Sequence, residues 1–223
     1  MHRQVTDYVP YCDQVFDDLA RTLSSARLEV YLRAAGFNKA RALRLYVWNA
    51  ELSEAFQFPI HMTEVVIRNS VSAVLAAKFG PRWPESREVI GVLGGWAVAE
   101  MNKTANRLER RYGDFTEDHF IAALSFGFWI HVLKPEFHRL IWREHLRRAF
   151  PNLPREISGK DLHQKLDDIG SLRNRIAHHE PLLRADHSRL HSDIVGVIGF
   201  VCAQTAAWAR AHSKVPTILR SRP

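Results

Sequence analysis

The chain is organised around residues 172–181, which read Leu-Arg-Asn-Arg-Ile-Ala-His-His-Glu-Pro. This stretch brings Arg173, Asn174, His178 and His179 within seven residues at a predicted helix C-terminus. Asn174 and His178 lie four residues apart and therefore share one face of a helix. Arg173 and His178 lie five apart, or about 140° around the axis, so they do not stack directly. Both can reach one anion if the helix ends and unwinds near His178, and the spacing predicts such an end.

Arginine and histidine together are suited to phosphodiester chemistry. Arginine supplies a planar positive fork that fits phosphate, and histidine is the side chain best able to move protons near neutral pH. The pair therefore suggests phosphodiester chemistry without a metal. A second interpretation needs no activity, because the helix macrodipole favours cations at a C-terminus and Pro181 stops the helix.

Length and composition are those of one globular domain. With 223 residues and 25.7 kDa the chain can bury a full core, and its 46% hydrophobic and 25% charged residues are ordinary. Cys12 and Cys202 match no metal or redox spacing, which favours a reducing cytoplasm. Residues 1–7 carry no secretory signal. The longest apolar run, 194–209, is shorter than the ~20 residues of a membrane span, so we expect a cytoplasmic protein without membrane association.

The chain is strongly basic. Its formal net charge is +7 with the 12 histidines counted as neutral, and its sequence pI is about 9.7. Such a charge favours polyanionic partners, either nucleic acid or an anionic membrane surface. Because no basic amphipathic anchor with bulky apolar residues is present, nucleic acid is the favoured partner.

Hydrophobic spacing predicts helix along nearly the whole chain. The predicted helices cover residues 13–20, 24–35, 39–56, 59 to 78 or 79, 97–112, 116–133, 136–150, 158–178 and 186–212. Residues 81–96 are expected to be irregular, with a turn at 91–95, and no strand pattern appears. The expected fold is all-α, a single irregular bundle of about eight to ten helices over residues 1–215. Residues 216–223 are expected to form a flexible, frayed basic tail.

Three landmarks resemble one known family. The first is residues 46–49 (Tyr-Val-Trp-Asn) continuing to Phe56, followed by residues 64–69 (Glu-Val-Val-Ile-Arg-Asn). The second is residues 124–129 (Leu-Ser-Phe-Gly-Phe-Trp), and the third is residues 172–179 (Leu-Arg-Asn-Arg-Ile-Ala-His-His). In their order and spacing, over most of the chain, they resemble the Abi-like (abortive-infection) proteins of bacteria, a branch of the HEPN superfamily.

The third landmark fits the family's Arg-x4-6-His ribonuclease motif, with a polar residue directly after the arginine. The resemblance implies a HEPN-like helical core and a metal-independent endoribonuclease without a cofactor. It further implies a homodimer whose two motif helices form a composite RNA cleft. The implied role is phage defence or toxin-like growth arrest, restrained by a neutralising protein or a non-coding RNA. Many HEPN proteins bind RNA or scaffold other proteins instead, so a non-catalytic RNA-binding or sensor module and a structural helix junction stay open.

The implied reaction is attack of an RNA 2′-hydroxyl on its own phosphodiester, which leaves a 2′,3′-cyclic phosphate and a 5′-hydroxyl. His178 is the candidate general acid or base, a role worth about 10²–10⁴-fold in rate. Arg173 would hold the non-bridging oxygens, and Asn174 would orient His178 or the phosphate. A symmetric dimer would supply the acid from one protomer and the base from the other. His179, about 100° away from His178, is the competing assignment and otherwise packs or binds phosphate.

Three polar residues on the predicted central helix, Glu64, Arg68 and Asn69, admit two interpretations. Glu64 and Arg68, four apart, form an intrahelical ion pair worth roughly a few tenths of a kcal/mol, or they support Arg173 or His178. Asn69 interrupts an apolar stretch and is expected to have a buried partner.

Two basic clusters are candidates for tracking an RNA backbone, although such clusters usually only keep a helix face solvated. They are Arg139, Arg143, Arg147 and Arg148, and Lys103, Arg107, Arg110 and Arg111. His187 and His191 have the i, i+4 spacing of metal ligands but no third ligand in pattern, so no metal site is expected. Four tryptophans are expected in the core rather than as base-stacking platforms: Trp48, Trp96, Trp129 and Trp142.

Overall fold

The longest element of the molecule is α3 (Lys39–Phe79), a single helix of 41 residues. In this computed structural model, which describes residues 11–223, α1 (Asp13–Leu23) and α2 (Ser25–Ala34) precede it. At 1.5 Å per residue, α3 is about 60 Å long. It packs against most of the other helices, and its buried face therefore forms the centre of the core.

Eight further α-helices follow α3. They are α4 (Arg87–Tyr112), α5 (Glu117–Ala123), α6 (Phe126–Val132), α7 (Leu146–Ala149), α8 (Gly159–Ala177), α9 (His187–Val201), α10 (Ala203–His212) and α11 (Val215–Arg220). Short 3₁₀ turns at Trp83–Glu85 and Pro135–Phe137 and a π turn at His138–Trp142 connect some of them. No strand occurs in residues 11–223, and the helices form one domain, which confirms the all-α prediction.

Pro59 lies inside α3 and does not begin a new helix, so the two helices predicted on either side of it are one. A proline inside a helix costs about 3 kcal/mol or more, because it lacks an N–H and its ring crowds the preceding turn. Burial outweighs this cost. Phe56 and Ile60 are at most 3% exposed, and each such side chain contributes about 1.5–3 kcal/mol when buried. Thr63 Oγ1 also donates a hydrogen bond to the Pro59 carbonyl at 2.9 Å.

Three other predicted helices are interrupted. The helix predicted at 116–133 breaks where Ser125 accepts a backbone hydrogen bond and begins α6. The helix predicted at 186–212 breaks at Cys202, whose extended backbone separates α9 from α10. Two short turns and α7 replace the helix predicted at 136–150. The apolar pattern continues across each break, so periodicity alone does not reveal it.

The C-terminal residues pack on the core, whereas the sequence predicted a frayed tail at 216–223. Val215 is fully buried, and α11 lies against α3 and α9. The indole Nε1 of Trp48 donates to the Ile218 carbonyl at 2.7 Å, and the Arg222 guanidinium lies 5.0 Å from the centre of a Trp48 ring. The domain therefore includes α11, and one charge of the expected basic tail is a packing contact.

The segment predicted as irregular, 81–96, is helical over more than half of its length. Helix α4 begins at Arg87 and runs through the predicted turn, with one interruption at Gly94 (φ 75°, ψ 177°). Essentially only glycine adopts this backbone conformation. The turn predicted from three neighbouring glycines is thus a kink at a single residue.

The kink at Gly94 gives a first prediction. Gly94→Ala should lower the free energy of unfolding by about 1–3 kcal/mol, because an alanine Cβ strains this backbone. Gly95→Ala is the matched control, since Gly95 is helical and an added Cβ meets no atom within 4 Å. The control should stabilise the protein by up to about 1 kcal/mol. Urea unfolding followed by circular dichroism measures both, and equal effects would contradict the kink.

His187, at the start of α9, is a buried histidine. It is 4% exposed, and its Nε2 has no hydrogen-bond partner. Burial lowers the pKa of His187 from its usual 6.5 to about 4, helped by the charges of Arg175 and Arg222 and opposed by that of Asp186. The imidazole is therefore neutral in the folded protein at neutral pH.

The lowered pKa of His187 gives a pH prediction. As the pH falls below 6.5 the unfolded chain binds a proton at this residue, while the folded chain binds one only near pH 4. Stability should therefore fall by about 2 kcal/mol between pH 7 and pH 5 from this residue. Urea unfolding at both pH values should show this loss in wild type and in His61→Gln, an exposed control. His187→Gln should reduce the loss, and an unchanged pH dependence would contradict the prediction.

Candidate functional site

Helix α8 ends where the spacing of Arg173 and His178 predicts. A capping box between Ser158 and Asp161 fixes its start, Ala177 is its last residue, and His178 is the C-cap. The inward face of α8 carries four side chains that are at most 1% exposed: Leu162, Leu166, Ile169 and Leu172. The predicted helix end near His178 is thus confirmed.

A Schellman motif closes α8. The His179 N–H donates to the Ile176 carbonyl at 3.0 Å, and the Glu180 N–H donates to the Arg175 carbonyl at 2.8 Å. His179 occupies the left-handed position of the motif with φ 56°, where glycine is usual. A side chain in this conformation costs about 1–2 kcal/mol. Such strained residues cluster at functional sites.

Two long-range contacts hold the turn that follows α8. On α3, the buried Asn49 accepts a hydrogen bond from the Leu182 N–H through its Oδ1 at 2.6 Å. On α2, Arg27 Nη1 donates to the His179 carbonyl at 2.8 Å. Asn49 belongs to the first sequence landmark, so the first landmark holds the turn that directly follows the third.

Arg173 is held from α3. Its Nε donates to Glu64 Oε1 at 3.1 Å, and its side chain remains 45% exposed. Neither Nη1 nor Nη2 of Arg173 makes a hydrogen bond or an ion pair within residues 11–223, so both are available to an external acceptor. Of the two interpretations of Glu64, support of Arg173 is the observed contact, because Arg68 Nε instead donates to Asn69 Oδ1 at 3.1 Å. Asn69 is exposed and its partner is not buried, so the expectation of a buried partner is wrong.

Asn174, His178 and His179 are all exposed. Because α8 is helical through Ala177, His178 keeps its direction about 140° from Arg173. The end of the helix therefore comes too late to turn these two side chains toward each other within one chain.

A cavity of about 600 Å³ lies between α4, α6 and α8, next to Arg173. Its lining includes Arg173 and Asn174 from the motif but not His178. Two histidines that the sequence analysis did not select, His131 and His163, also line it. Each has a buried Nε2 without a hydrogen-bond partner. Burial is the main reason that the pKa of both is lowered, with a further contribution from the charge of Lys134.

A sequence signal for this cavity exists along α8. Polar residues recur at helical spacing on one face of the helix, at His163, Asp167, Ser171 and Asn174. This stripe adjoins the apolar face and would have indicated a second, polar contact surface. His131 has no comparable signal, since it sits in a mainly apolar run on α6.

Trp96 also lines the cavity and is 50% exposed, so its predicted core position is wrong. It follows the Gly94 kink by two residues, and its ring centre lies 4.5 Å from that of His131. The other three tryptophans expected in the core are at most 2% exposed: Trp48, Trp129 and Trp142.

The two basic clusters differ in their surroundings. The residues Lys103, Arg107, Arg110 and Arg111 line an open groove along α4. Arg107 Nη2 donates to the Ala123 carbonyl at 2.7 Å, so it also holds α5. The second cluster is exposed on the π turn, on α7 and on the residues between them, and consists of Arg139, Arg143, Arg147 and Arg148. Within it, Arg147 Nη1 donates to the Leu153 carbonyl at 2.6 Å.

The described residues contain no grouping of three His, Cys, Asp or Glu side chains that could hold a metal ion. His187 and His191 are buried, and His191 Nε2 lies 2.9 Å from Ser213 Oγ. Over residues 11–223 no helix is both long and apolar enough to cross a membrane.

Comparisons with known proteins identify neither a family nor a function for this chain. No family model, curated protein or solved structure matches the chain. A functional assignment therefore depends on the residues and their geometry.

The left-handed backbone of His179 gives a third prediction. His179→Gly should raise the free energy of unfolding by about 1 kcal/mol, because glycine adopts φ 56° without strain. His178→Gly is the matched control, since His178 has φ −94° and glycine there should lower stability by about 0.5–1 kcal/mol. Urea unfolding of the two variants should give changes of opposite sign. A destabilised His179→Gly variant would contradict the strain argument.

Proposed function

We propose that this chain is a metal-independent endoribonuclease of a bacterial phage-defence or toxin-like system. It cleaves RNA by 2′-hydroxyl attack, with Arg173 and His178 as the reacting pair of the motif. The observation that carries the proposal is the state of Arg173. Its Nε is fixed by Glu64, while its two terminal nitrogens make no hydrogen bond within residues 11–223 and its side chain is 45% exposed.

Arg173 in this arrangement is suited to a phosphodiester. A guanidinium held through Nε presents Nη1 and Nη2 as a fork that binds two non-bridging oxygens. Negative charge builds up on these oxygens in the phosphorane transition state, and donors already in position stabilise it. Asn174, the next residue, supplies a further polar group at the same edge.

His178 would perform the proton transfers. It is exposed at the C-cap of α8, and the turn behind it is held by Arg27 and Asn49. The reaction needs a base for the 2′-hydroxyl and an acid for the 5′-oxygen that leaves.

A homodimer resolves the separation between Arg173 and His178. The two side chains point about 140° apart on one helix, so the groups around one phosphate would come from two copies of α8. An isologous dimer places the same residues on both sides of a two-fold axis. One His178 then acts as base and its counterpart as acid at a single composite site.

The cationic groove of α4 supports RNA as the substrate. Four side chains line it and offer positive charge to a phosphate backbone: Lys103, Arg107, Arg110 and Arg111. The net charge of +7 acts in the same direction.

A second candidate function is an RNA-binding or sensor module without cleavage. The angle of about 140° around the helix between Arg173 and His178 favours it. In a single chain, a phosphate bound by Arg173 would have no proton-transfer group on its opposite side. In this case Arg173 binds RNA and His178 only adds to the polar surface.

The fourth prediction separates these functions. In EDTA, wild type should cleave an oligoribonucleotide to products with a 2′,3′-cyclic phosphate, and His178→Ala should be about 10²–10⁴-fold slower. Arg173→Ala should lose cleavage comparably, whereas the exposed controls Arg184→Ala and His119→Ala should retain it. Glu64→Gln should weaken cleavage less than Arg173→Ala, because it loosens the arginine without removing it. Wild type that binds the oligoribonucleotide and leaves it intact would support the second candidate.

The same assay tests the composite site. Wild type and His178→Ala, refolded together in equal amounts, give about one quarter wild-type homodimers if the copies pair at random. With a single composite site, the activity per wild-type chain should fall by about half. Activity per wild-type chain that does not change would show that each protomer acts alone.

A further inference from the structure

The cavity beside Arg173 has the size and mixed lining of a ligand site. Its volume of about 600 Å³ lies within the range of roughly 300–1,000 Å³ for small-molecule pockets. The proposed reaction uses Arg173 and Asn174 at its edge but none of the groups deeper inside. Aromatic, cationic and neutral polar side chains and the carboxylate of Asp167 meet there, and each kind suits a different part of one ligand.

The aromatic group is Trp96. It is 50% exposed, and its ring centre is 4.5 Å from that of His131, with 38° between the planes. The contact with His131 fixes the indole from one side and leaves half of its surface open. An exposed indole beside cationic groups is a platform for a nucleobase, and stacking of one base on an aromatic side chain contributes about 1–3 kcal/mol.

The cationic groups are Lys134 and Arg173, which line the same cavity from α6's C-terminal side and from α8. The terminal nitrogens of Arg173 are available, as described above. Asp167 and Asn174 add an acceptor and an amide on the same α8 face. A phosphate suits the two cations, and the polar edge of a base suits the amide and the carboxylate.

Two histidines, His131 and His163, form part of the cavity wall. Their Nε2 atoms are buried and have no hydrogen-bond partner, so they lie behind the cavity surface and are not offered to a ligand. The groups available to a ligand are therefore the indole, the two cations and the polar side chains of α8.

We propose that this cavity is a subsite for a single nucleotide of the RNA, with the base against Trp96 and its phosphate between Lys134 and Arg173. The subsite rests on the proposed function, since the nucleotide that it binds is the one next to the phosphate that Arg173 holds in the proposed reaction. It places one base of the substrate within the protomer that supplies Arg173. It therefore gives the enzyme a position at which bases are distinguished by how well they stack and by the groups on their edges.

Binding of adenosine 3′-monophosphate to the full-length protein tests the subsite directly. Titration calorimetry should show binding, and Trp96→Ala should weaken it about tenfold or more. Trp208→Ala is the matched control, because Trp208 is also 50% exposed but lies on α10 against Phe58, and it should leave the affinity unchanged. Trp96→Phe, which keeps an aromatic face, should retain most of the binding.

Ligand fragments separate the two halves of the subsite. Adenosine should bind more weakly than its 3′-monophosphate, and Lys134→Ala should weaken the monophosphate about tenfold without affecting adenosine. Lys214→Ala, an exposed lysine of the α10–α11 connection, should change neither. Inorganic phosphate that binds as tightly as the nucleotide would overturn the base platform and reduce the cavity to an anion site. Nucleotide affinity that is unchanged in Trp96→Ala would overturn the subsite altogether.

The RNA cleavage assay, run on the same preparations, keeps the two proposals apart. Cleavage that depends on His178, together with unchanged nucleotide affinity in Trp96→Ala, would overturn the subsite and leave the endoribonuclease intact. Nucleotide binding that depends on Trp96, in a protein that cleaves no RNA, would support the subsite while the endoribonuclease fails.

Discussion

Burial along the length of α3 is the constraint on which the rest of the structure depends. Four of its side chains that are completely buried are spread over its length: Leu52, Phe56, Ile67 and Leu75. At about 1.5–3 kcal/mol each, they outweigh what Pro59 costs and keep the helix continuous. A break at Pro59 would separate the part of α3 that holds the turn after α8 from the part that holds Arg173.

The continuity of α3 has a direct consequence for the site. Asn49 and Glu64 lie on the same helix, 15 positions apart in the sequence, or about 22 Å along its axis. Asn49 fixes the backbone at Leu182, and Glu64 fixes the side chain of Arg173. One continuous helix therefore sets both the position of the turn and the direction of the arginine.

The sequence predicts the parts of the molecule that depend on local chemistry. The extent of α8 and its end close to His178 follow from hydrophobic spacing and from the spacing of Arg173 and His178, and both are observed within a residue. The parts that depend on packing between distant segments are not predictable in this way. Pro59 reads as a boundary because the burial that offsets it comes from other helices. The cavity is missed because Trp96, His131 and His163 belong to three helices, and only the tertiary fold brings them together.

The Arg173–Glu64 pair contributes through geometry more than through stability. A half-exposed ion pair is worth about 0–1 kcal/mol, since water screens the attraction and both side chains lose freedom. That is small beside any one of the buried side chains of α3. A carboxylate that holds only Nε nevertheless fixes the plane of the guanidinium and leaves its outer edge free. The carboxylate offsets part of the arginine's charge, while the outer donors of the half-exposed guanidinium face solvent. In the proposed function a phosphate binds these outer donors, and the arginine at the end of α8 is then half of a binding site.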